Sequence, residues 1–207
     1  MKLINMKKII LCLITCYLFT FTLLAEKNIV KEKNVKGVIE FTEPKRSINQ
    51  KNVLALRCEP IPVVRIAFIG IGMRGSEAVR RYCQLDSVEI KALCDVNPQN
   101  IQNAEATLKE YNKPAADAYT GAEDWKKICE RPDIDLVYIC TPWELHTPIA
   151  VYALNHGKHA AIEVPAALTI QECWALVDAA EKNRKHCIML ENCIYDYFEM
   201  ATLNMSQ

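Results

Sequence analysis

The sequence has no excess of charge of either sign. Its 207 residues include 25 Lys and Arg and 25 Asp and Glu, so the formal net charge at pH 7 is zero. Binding to nucleic acid or to an anionic membrane surface usually depends on a basic excess, and this balance supports neither kind of partner. We therefore expect no nucleic-acid partner.

The cysteines lack the spacing of metal ligands. The chain contains 10 cysteines, but it has no CxxC pair and no Cys/His cluster at the spacing of a zinc site. Cys94, Cys140 and Cys187 lie instead within apolar, strand-like runs. We therefore expect no metal site, and we expect most of the cysteines to be small buried side chains with free thiols.

No apolar run reaches the length of about 20 residues that a membrane-spanning helix needs. The run at residues 9–24 is preceded by three lysines among the first eight residues. This pattern is typical of a secretory signal peptide, so residues 1–25 are predicted to be one, and the protein is predicted to be exported to the periplasm or cell envelope. The alternative is that this leader is not cleaved and remains as a membrane anchor. We do not expect a lipid anchor, because Thr15 before Cys16 fits a lipoprotein cleavage site poorly.

The chemistry-bearing part of the chain begins after a polar segment. Residues 26–60 show no sustained period of 2 or 3.6, which indicates a linker or an extended arm. From residue 61 to 207, short apolar runs alternate with amphipathic helical stretches, a pattern typical of βαβ units. The predicted strands are 63–69, 88–94, 136–140, 159–162 and 187–190. This order predicts an α/β fold with a doubly wound parallel sheet.

Helix starts are marked by residues that satisfy free backbone amides. Asn97 and Thr147 are each followed by proline, which is favoured in the first helical turn. Thr169 and Glu172 have the spacing of a capping box. We therefore expect helices to begin directly after Asn97, Thr147 and Thr169.

A glycine turn follows the first predicted strand and precedes a helix predicted to begin at Ser76. Its sequence is Gly70-Ile71-Gly72-Met73-Arg74-Gly75. In the dinucleotide fingerprint, Gly70 permits the tight turn, Gly72 lets the backbone approach a pyrophosphate, and Gly75 lets the helix pack on the strand. The pyrophosphate then meets the positive end of the helix. The pattern predicts a nucleotide-binding Rossmann domain.

Asp95 ends the second predicted strand, 20 residues after Gly75. A carboxylate at this place can accept hydrogen bonds from the adenosine ribose and repels a 2′-phosphate, so it favours NAD over NADP. The alternative is that Asp95 is only a turn former beside Asn97. Arg74 likewise has two interpretations, as a phosphate-facing side chain or as a solvent-exposed helix residue.

The loop after the strand at 136–140 contains Trp143 and His146. Ligands of open α/β folds bind at this edge of the sheet. Because the positive end of a helix disfavours imidazolium, His146 is interpreted either as a neutral imidazole facing the nicotinamide or as a capping or core histidine. Trp143 is a packing residue or a cofactor contact.

The strand at 159–162 leads into Glu163-Val164-Pro165. The order of glycine turn, acidic strand end, Thr-Pro-x-x-x-His and Glu-x-Pro resembles the Gfo/Idh/MocA superfamily of NAD-dependent sugar oxidoreductases. Members of that superfamily usually carry Glu-Lys-Pro, with the lysine near the reacting hydroxyl. Val164 occupies that position here, and an apolar side chain cannot transfer a proton.

One branch of the superfamily matches this departure. The words Gly-Met-Arg-Gly-Ser at 72–76, Cys-Thr-Pro-Trp-Glu-Leu-His at 140–146 and Ile-Glu-Val-Pro-Ala-Ala at 162–167 resemble glycoside hydrolase family 109. The resemblance covers about residues 60–207. It implies an exported NAD-dependent α-N-acetylgalactosaminidase that oxidises its glycan substrate, eliminates the glycosidic oxygen, adds water and reduces the product. In such a cycle Glu163 and Glu191 are not the carboxylate pair of ordinary glycosidases.

The resemblance also implies which residues contact NAD. These are Met73, Arg74, Asp95, Trp143, Glu144, Leu145, His146, Glu163, Val164 and Asn192, in addition to the turn glycines. Tyr195 and Tyr197 either border the sugar site or belong to the core. The substrate and proton-transfer residues of the family lie mostly in a second, α+β domain, which we expect to be absent from this chain.

Two other functions remain open at this point. The protein could be an NAD-dependent sugar oxidoreductase, which Val164 argues against, or a non-catalytic NAD-binding remnant. The 207-residue chain alone is expected to be inactive. Homo-oligomerisation is left open.

Overall fold

The computed structural model describes residues 32–35, 38–41, 44–46 and 48–206. The chain divides into two compact units, Met1–Arg46 and Ser47–Gln207. The predicted signal peptide lies outside the described residues. In the described parts of the chain, no helix has both the length and the apolar character needed to cross a membrane.

The first unit contains a small antiparallel hairpin of β1 (Glu32–Val35) and β2 (Val38–Phe41). This hairpin falls within the predicted linker or extended arm and was not predicted. Each strand has only four residues, which is too short to establish a period of 2 in the sequence.

The second unit contains a six-stranded parallel sheet and six helices among its described residues. The strands are β3 (Val64–Ile69), β4 (Val88–Cys94), β5 (Asp117–Tyr119), β6 (Leu136–Ile139), β7 (His159–Glu163) and β8 (Cys187–Leu190). The helices are α1 (Met73–Tyr82), α2 (Pro98–Glu110), α3 (Asp124–Glu130), α4 (His146–Asn155), α5 (Ile170–Asn183) and α6 (Tyr197–Met205). A short 3₁₀ helix, Trp143–Leu145, precedes α4.

The strand order is β5-β4-β3-β6-β7-β8, and every neighbouring pair is parallel. This is the order of the doubly wound Rossmann fold, and it confirms the predicted fold class. The chain first winds outward from β3 to β5 and then returns to the other side of β3 with β6. The carboxyl ends of β3 and β6 therefore border a crevice where nucleotides bind in this fold.

Strand β3 shows why the sheet is buried on both faces. Ile66 and Phe68 pack with α1 and α2, whereas Ala67 and Ile69 pack with α3, α4 and α5. Because successive side chains of a strand point to opposite faces, an unbroken apolar run serves both helical layers. The cores on the two faces hold the strand ends in fixed positions beneath the crevice.

Two of the predicted helix starts are confirmed. The side chain of Asn97 accepts a hydrogen bond from the Gln99 amide at 3.0 Å, and Pro98 opens α2. Thr169 and Glu172 form the predicted capping box of α5. Both starts were readable from sequence because their partners lie within three residues.

Two other predicted helix starts are wrong, by two and by three residues. Helix α4 begins at His146, and the hydroxyl of Thr147 donates to the carbonyl of Ala166 at 3.0 Å instead of capping the helix. Helix α1 begins at Met73, before the predicted Ser76, because the amide of Ser76 already donates to the carbonyl of Gly72. The second half of the glycine turn is thus helical.

The predicted strands are found within one residue of their predicted ends, but β5 was missed. It has three residues, Asp117–Tyr119, and none of them is fully buried. As an edge strand next to β4 it needs no apolar run, so its sequence gives no strand signal. Helix α6 was not predicted either, and it buries none of its residues.

Candidate nucleotide-binding site

The site lies where the carboxyl ends of β3, β4, β6 and β7 meet one edge of the sheet. The glycine turn follows β3, Asp95 follows β4, and two loops, residues 140–145 and 164–169, follow β6 and β7. The glycine turn and Asp95 lie on the first half of the crevice, and the two loops lie on the second half. In this fold the dinucleotide spans both halves.

The three glycines of the turn have three different surroundings. Gly70 has a φ of +80°, and a Cβ there would lie 2.6 Å from the carbonyl carbon and oxygen of Cys140. A Cβ on Gly75 would lie 2.1 Å from the carbonyl oxygen of Gly70. Both positions therefore exclude any side chain, the first by conformation and contact, the second by contact alone.

Gly72 differs because its neighbourhood is open. A Cβ there would meet a single group within 4 Å, the side-chain nitrogen of Asn100 at 3.9 Å. Gly72 is also the N-cap of α1 and has no side-chain cap. Open space over free backbone amides at a helix N-terminus fits a pyrophosphate, so the residues present suit the dinucleotide that the sequence predicts.

Asp95 bonds to the glycine turn after β3 and to the segment before α2. Its Oδ2 accepts from the backbone amide of Ile71 at 2.8 Å, and its Oδ1 accepts from the amide of Asn97 at 2.8 Å. The carboxylate is therefore the turn former that the alternative proposed. Each carboxylate oxygen can accept a second bond, so the ribose contact predicted for Asp95 is compatible with both backbone bonds.

A pocket of about 210 Å³ lies on the second half of the crevice. It is lined by Arg74, Cys140, Thr141, Trp143, His146, Glu163, Val164 and Asn192. Six of these were named as cofactor contacts from the sequence, although they come from four separate places in the chain. Met73, Glu144 and Leu145, named with them, are exposed outside this lining.

Arg74 crosses the pocket and contacts the segment after β8. Its guanidinium donates to Oδ1 of Asn192 at 2.7 Å and lies 3.5 Å from Oε2 of Glu163. It also lies 3.9 Å from Glu77, one turn along α1. The solvent-exposed alternative is therefore incomplete, since Arg74 is partly exposed but held by three side chains. Its phosphate-facing role stays a prediction.

Glu163 is buried at the base of the pocket and is held by Tyr138. The Tyr138 hydroxyl donates to Oε1 of Glu163 at 3.0 Å. Burial, together with the charge of Glu163, raises the pKa of Tyr138, so the phenol remains protonated and available as a donor. The ring packs against Phe68 and Tyr82 in the core.

Tyr138, Cys140 and Thr141 are site residues that the sequence did not identify. Tyr138 and Cys140 lie in or next to an apolar strand, where each looks like an ordinary core residue. Burial raises the pKa of the Cys140 thiol to about 12, so the thiol is neutral. The hydroxyl of Thr141 is buried and has no hydrogen-bond partner among the described residues.

His146 and Trp143 differ sharply in exposure. His146 is 1% exposed, and its ring nitrogens lie 2.7 Å from the carbonyl oxygen of Pro165 and 2.8 Å from that of Thr141. Trp143 is 60% exposed at the pocket rim, so it is not a core packing residue. Tyr195 and Tyr197 are also not core residues, because they are 84% and 89% exposed.

No metal site is present in the part of the chain whose structure is described, since no three His, Cys, Asp or Glu side chains are grouped to hold an ion. The eight cysteines described there are free thiols, and Cys83, Cys94 and Cys129 are buried. Burial raises the pKa of the Cys94 thiol to about 12.

Comparison with known proteins agrees with this geometry. Residues 64–191 match the profile of the GFO_IDH_MocA family, described as an oxidoreductase family with an NAD-binding Rossmann fold. The chain is 57% identical over 159 residues to a Bacteroides fragilis protein named alpha-N-acetylgalactosaminidase, which covers 77% of this chain and 37% of that protein. It is 52% identical over 178 residues to a glycosyl hydrolase family 109 protein of Porphyromonas gingivalis, covering 84% and 38% respectively.

Among solved structures, the chain resembles the WlbA dehydrogenase from Bordetella pertussis, solved in complex with NADH and UDP-GlcNAcA. The TM-score is 0.59 at 19% identity, with 70% of this chain and 41% of that one covered. At this identity the likeness concerns the fold alone. The chain spans less than half the length of the curated relatives it matches.

Proposed function

Because this chain belongs to the Gfo/Idh/MocA oxidoreductase family and carries its NAD-binding Rossmann domain, we propose that the protein is an NAD-dependent glycoside hydrolase. The substrate we propose is a glycan with a terminal α-linked N-acetylgalactosamine. This choice is supported by the name of the Bacteroides fragilis relative. Because the chain covers 37% of that relative, the activity is proposed for the full-length protein.

The observation that carries the proposal is Val164. It lines the pocket beside Glu163 and is 40% exposed, so its side chain faces the space where the chemistry would occur. A lysine at this position could exchange a proton with a sugar hydroxyl, whereas valine can only pack and exclude water. The pocket therefore lacks the proton-transferring group expected of a simple sugar dehydrogenase.

Reversible hydride transfer is the chemistry that NAD supplies when bound, and it allows a sugar hydroxyl to be oxidised and later reduced in one cycle. The residues of this chain bind and orient the dinucleotide. The α1 N-terminus at Gly72 would hold the pyrophosphate, and Asp95 would accept hydrogen bonds from the adenosine ribose. Val164 would shield the second half of the crevice from water.

The carboxylates of Glu163, which lines the pocket, and of Glu191, which follows β8, are not placed for ordinary glycoside hydrolysis. Glu163 is buried and is bonded to Tyr138 and Arg74, which leaves it a structural partner of those two side chains. Glu191 is exposed and accepts a bond from the backbone amide of Asn192. Neither arrangement provides the acid and base flanking a scissile bond that the usual mechanism requires.

The test uses the full-length protein with a chromogenic α-N-acetylgalactosaminide. Release of the chromophore without net accumulation of NADH would support a redox-neutral glycosidase. Accumulation of NADH without release would identify a sugar oxidoreductase instead. NAD binding with neither outcome, across α- and β-linked N-acetylhexosaminides, would favour a non-catalytic NAD-binding protein. The same assay on the 207-residue chain tests whether that chain alone has activity.

A further inference from the structure

The side chain of His146 lies between two backbone carbonyls. Nδ1 is 2.7 Å from the oxygen of Pro165, and Nε2 is 2.8 Å from the oxygen of Thr141. His146 is almost completely buried, with an exposure of 1%, and it contributes to the lining of the pocket. Each ring nitrogen lies within hydrogen-bond distance of a backbone carbonyl.

A carbonyl oxygen can only accept a hydrogen bond, so a ring nitrogen that carries a proton donates to the carbonyl that it faces. Because the two nitrogens face carbonyls of two different loops, the ring is bonded to at least one of these loops in either tautomer.

The two carbonyls belong to the two loops that border the second half of the crevice. Thr141 lies in the loop after β6, together with Trp143, and Pro165 lies in the loop after β7, next to Val164. The neighbouring Thr147 adds a third bond, from its hydroxyl to the carbonyl of Ala166 at 3.0 Å. The first turn of α4 therefore joins the two loops through three side-chain contacts.

We propose that His146 is a positioning residue that fixes the distance between these loops and so shapes the nicotinamide end of the NAD pocket. Asp95 marks the adenosine half of the crevice at β4, so the nicotinamide half lies over β6 and β7, where the two loops are. In this role His146 acts through the two loop carbonyls that its ring nitrogens face. This inference rests on NAD binding and not on the proposed glycosidase activity.

The experiment compares the affinity of two probes, NAD⁺ and ADP-ribose, for the full-length protein by calorimetry. ADP-ribose has the adenosine and pyrophosphate of NAD but lacks the nicotinamide. In His146→Ala, which retains neither bond, NAD⁺ affinity should fall about tenfold or more, the effect of losing one to two hydrogen bonds. ADP-ribose affinity should remain within about twofold of the wild-type value.

Two further variants keep the test decisive if His146→Ala folds poorly. Thr147→Val removes only the third contact and should weaken NAD⁺ binding in the same direction by a smaller factor. His156→Gln is the matched control, because His156 lies just after the other end of α4 and is exposed, and among the described residues its ring contacts the carbonyl and the ring of Tyr152. It should leave the affinities for both probes unchanged.

Each outcome bears on the proposal. A loss confined to NAD⁺ in His146→Ala and Thr147→Val supports it, whether or not the protein hydrolyses any glycan. An equal loss for both probes would mean that His146 is merely a stability residue, and the proposal would be overturned. Unchanged NAD⁺ affinity in a folded His146→Ala protein would overturn it as well.

Discussion

The backbone amide of Ile71 donates a 2.8 Å hydrogen bond to Oδ2 of Asp95. This bond joins the glycine turn after β3 to the acidic end of β4, the two features from which nucleotide binding was first predicted. The other oxygen, Oδ1, orders the chain before α2 through the amide of Asn97. Asp95 therefore shapes the turn that is predicted to face the pyrophosphate, and its own carboxylate is predicted to face the ribose.

Asp95→Asn should weaken NAD binding about tenfold or more, because a charged acceptor of the turn and of the ribose is lost. The amide cannot accept from both Ile71 and Asn97, since one of its two polar groups is a donor. Loss of the negative charge should also reduce the preference for NAD over NADP, because a 2′-phosphate is no longer repelled. Calorimetric titration with both nucleotides measures each effect.

Asp86→Asn provides the control for that substitution. Asp86 is exposed and precedes β4, at the opposite edge of the sheet from the crevice. The same chemical change there should leave the affinities for NAD and NADP unaltered. If Asp95→Asn binds NAD as the wild type does, Asp95 is only a turn former.

The glycines of the turn should separate binding from stability. Gly72→Ala places a methyl group in open space, where the nearest atom is 3.9 Å away, so the fold should be retained with a cost of about 1 kcal/mol or less. NAD affinity should fall at least about tenfold, because the methyl group occupies the path of the pyrophosphate. Thermal unfolding and calorimetry of the same sample measure the two effects.

Gly75→Ala should behave in the opposite way. Its methyl group would lie 2.1 Å from the Gly70 carbonyl oxygen, so α1 must move away from β3. The free energy of unfolding should fall by about 3 kcal/mol or more, as for other severe overpacking. A Gly75→Ala protein as stable as Gly72→Ala would contradict the close packing seen at this contact.

The sequence was sufficient for features whose cause is local. The three glycines that define the turn lie within six consecutive residues. The capping side chains of α2 and α5 bond to amides two and three residues away. The central strands were predicted because burial on both faces requires an unbroken apolar run, as Ile66 to Ile69 shows. In each case a single short stretch of sequence contains both partners of the interaction.

The features that were missed depend on partners distant in sequence. Tyr138 meets Glu163 across 25 residues, and His146 meets the Pro165 carbonyl across 19. A backbone carbonyl has no sequence signature, because every residue carries one. The family resemblance named His146 and Glu163 as site residues, but the contacts that they make could be known only from the structure.

Tyr138→Phe should destabilise the protein by about 1–3 kcal/mol, because the buried carboxylate of Glu163 loses a hydrogen-bond donor while the ring packing is kept. Tyr152→Phe is the matched control, since the Tyr152 hydroxyl also donates to a glutamate, Glu130, but at an exposed position. Its cost should be within about 0.5 kcal/mol. Urea unfolding of both variants tests this order, and equal costs would contradict it.

His159 should make stability depend on pH on the acid side of neutrality. Burial lowers the pKa of this side chain, with smaller effects from Lys185 and His186, and its Nδ1 accepts from the His186 amide at 3.0 Å. The pKa of histidine in the unfolded chain is about 6.5. Above that pH, His159 is neutral in both the folded and the unfolded state and does not lower the free energy of unfolding.

As the pH falls below about 6.5, the unfolded chain binds the proton more readily than the folded protein, so the free energy of unfolding decreases until the pH passes the lowered folded pKa. His159→Asn keeps an acceptor near Nδ1 but does not titrate, so the difference in unfolding free energy between about pH 7.5 and about pH 5.5 should shrink. His156→Asn, which removes an exposed imidazole, should leave more of that difference intact. The hydrogen bond from the His186 amide to His159 joins the starts of β7 and β8. If His159→Asn keeps the wild-type pH dependence, protonation of His159 at this bond does not affect the free energy of unfolding.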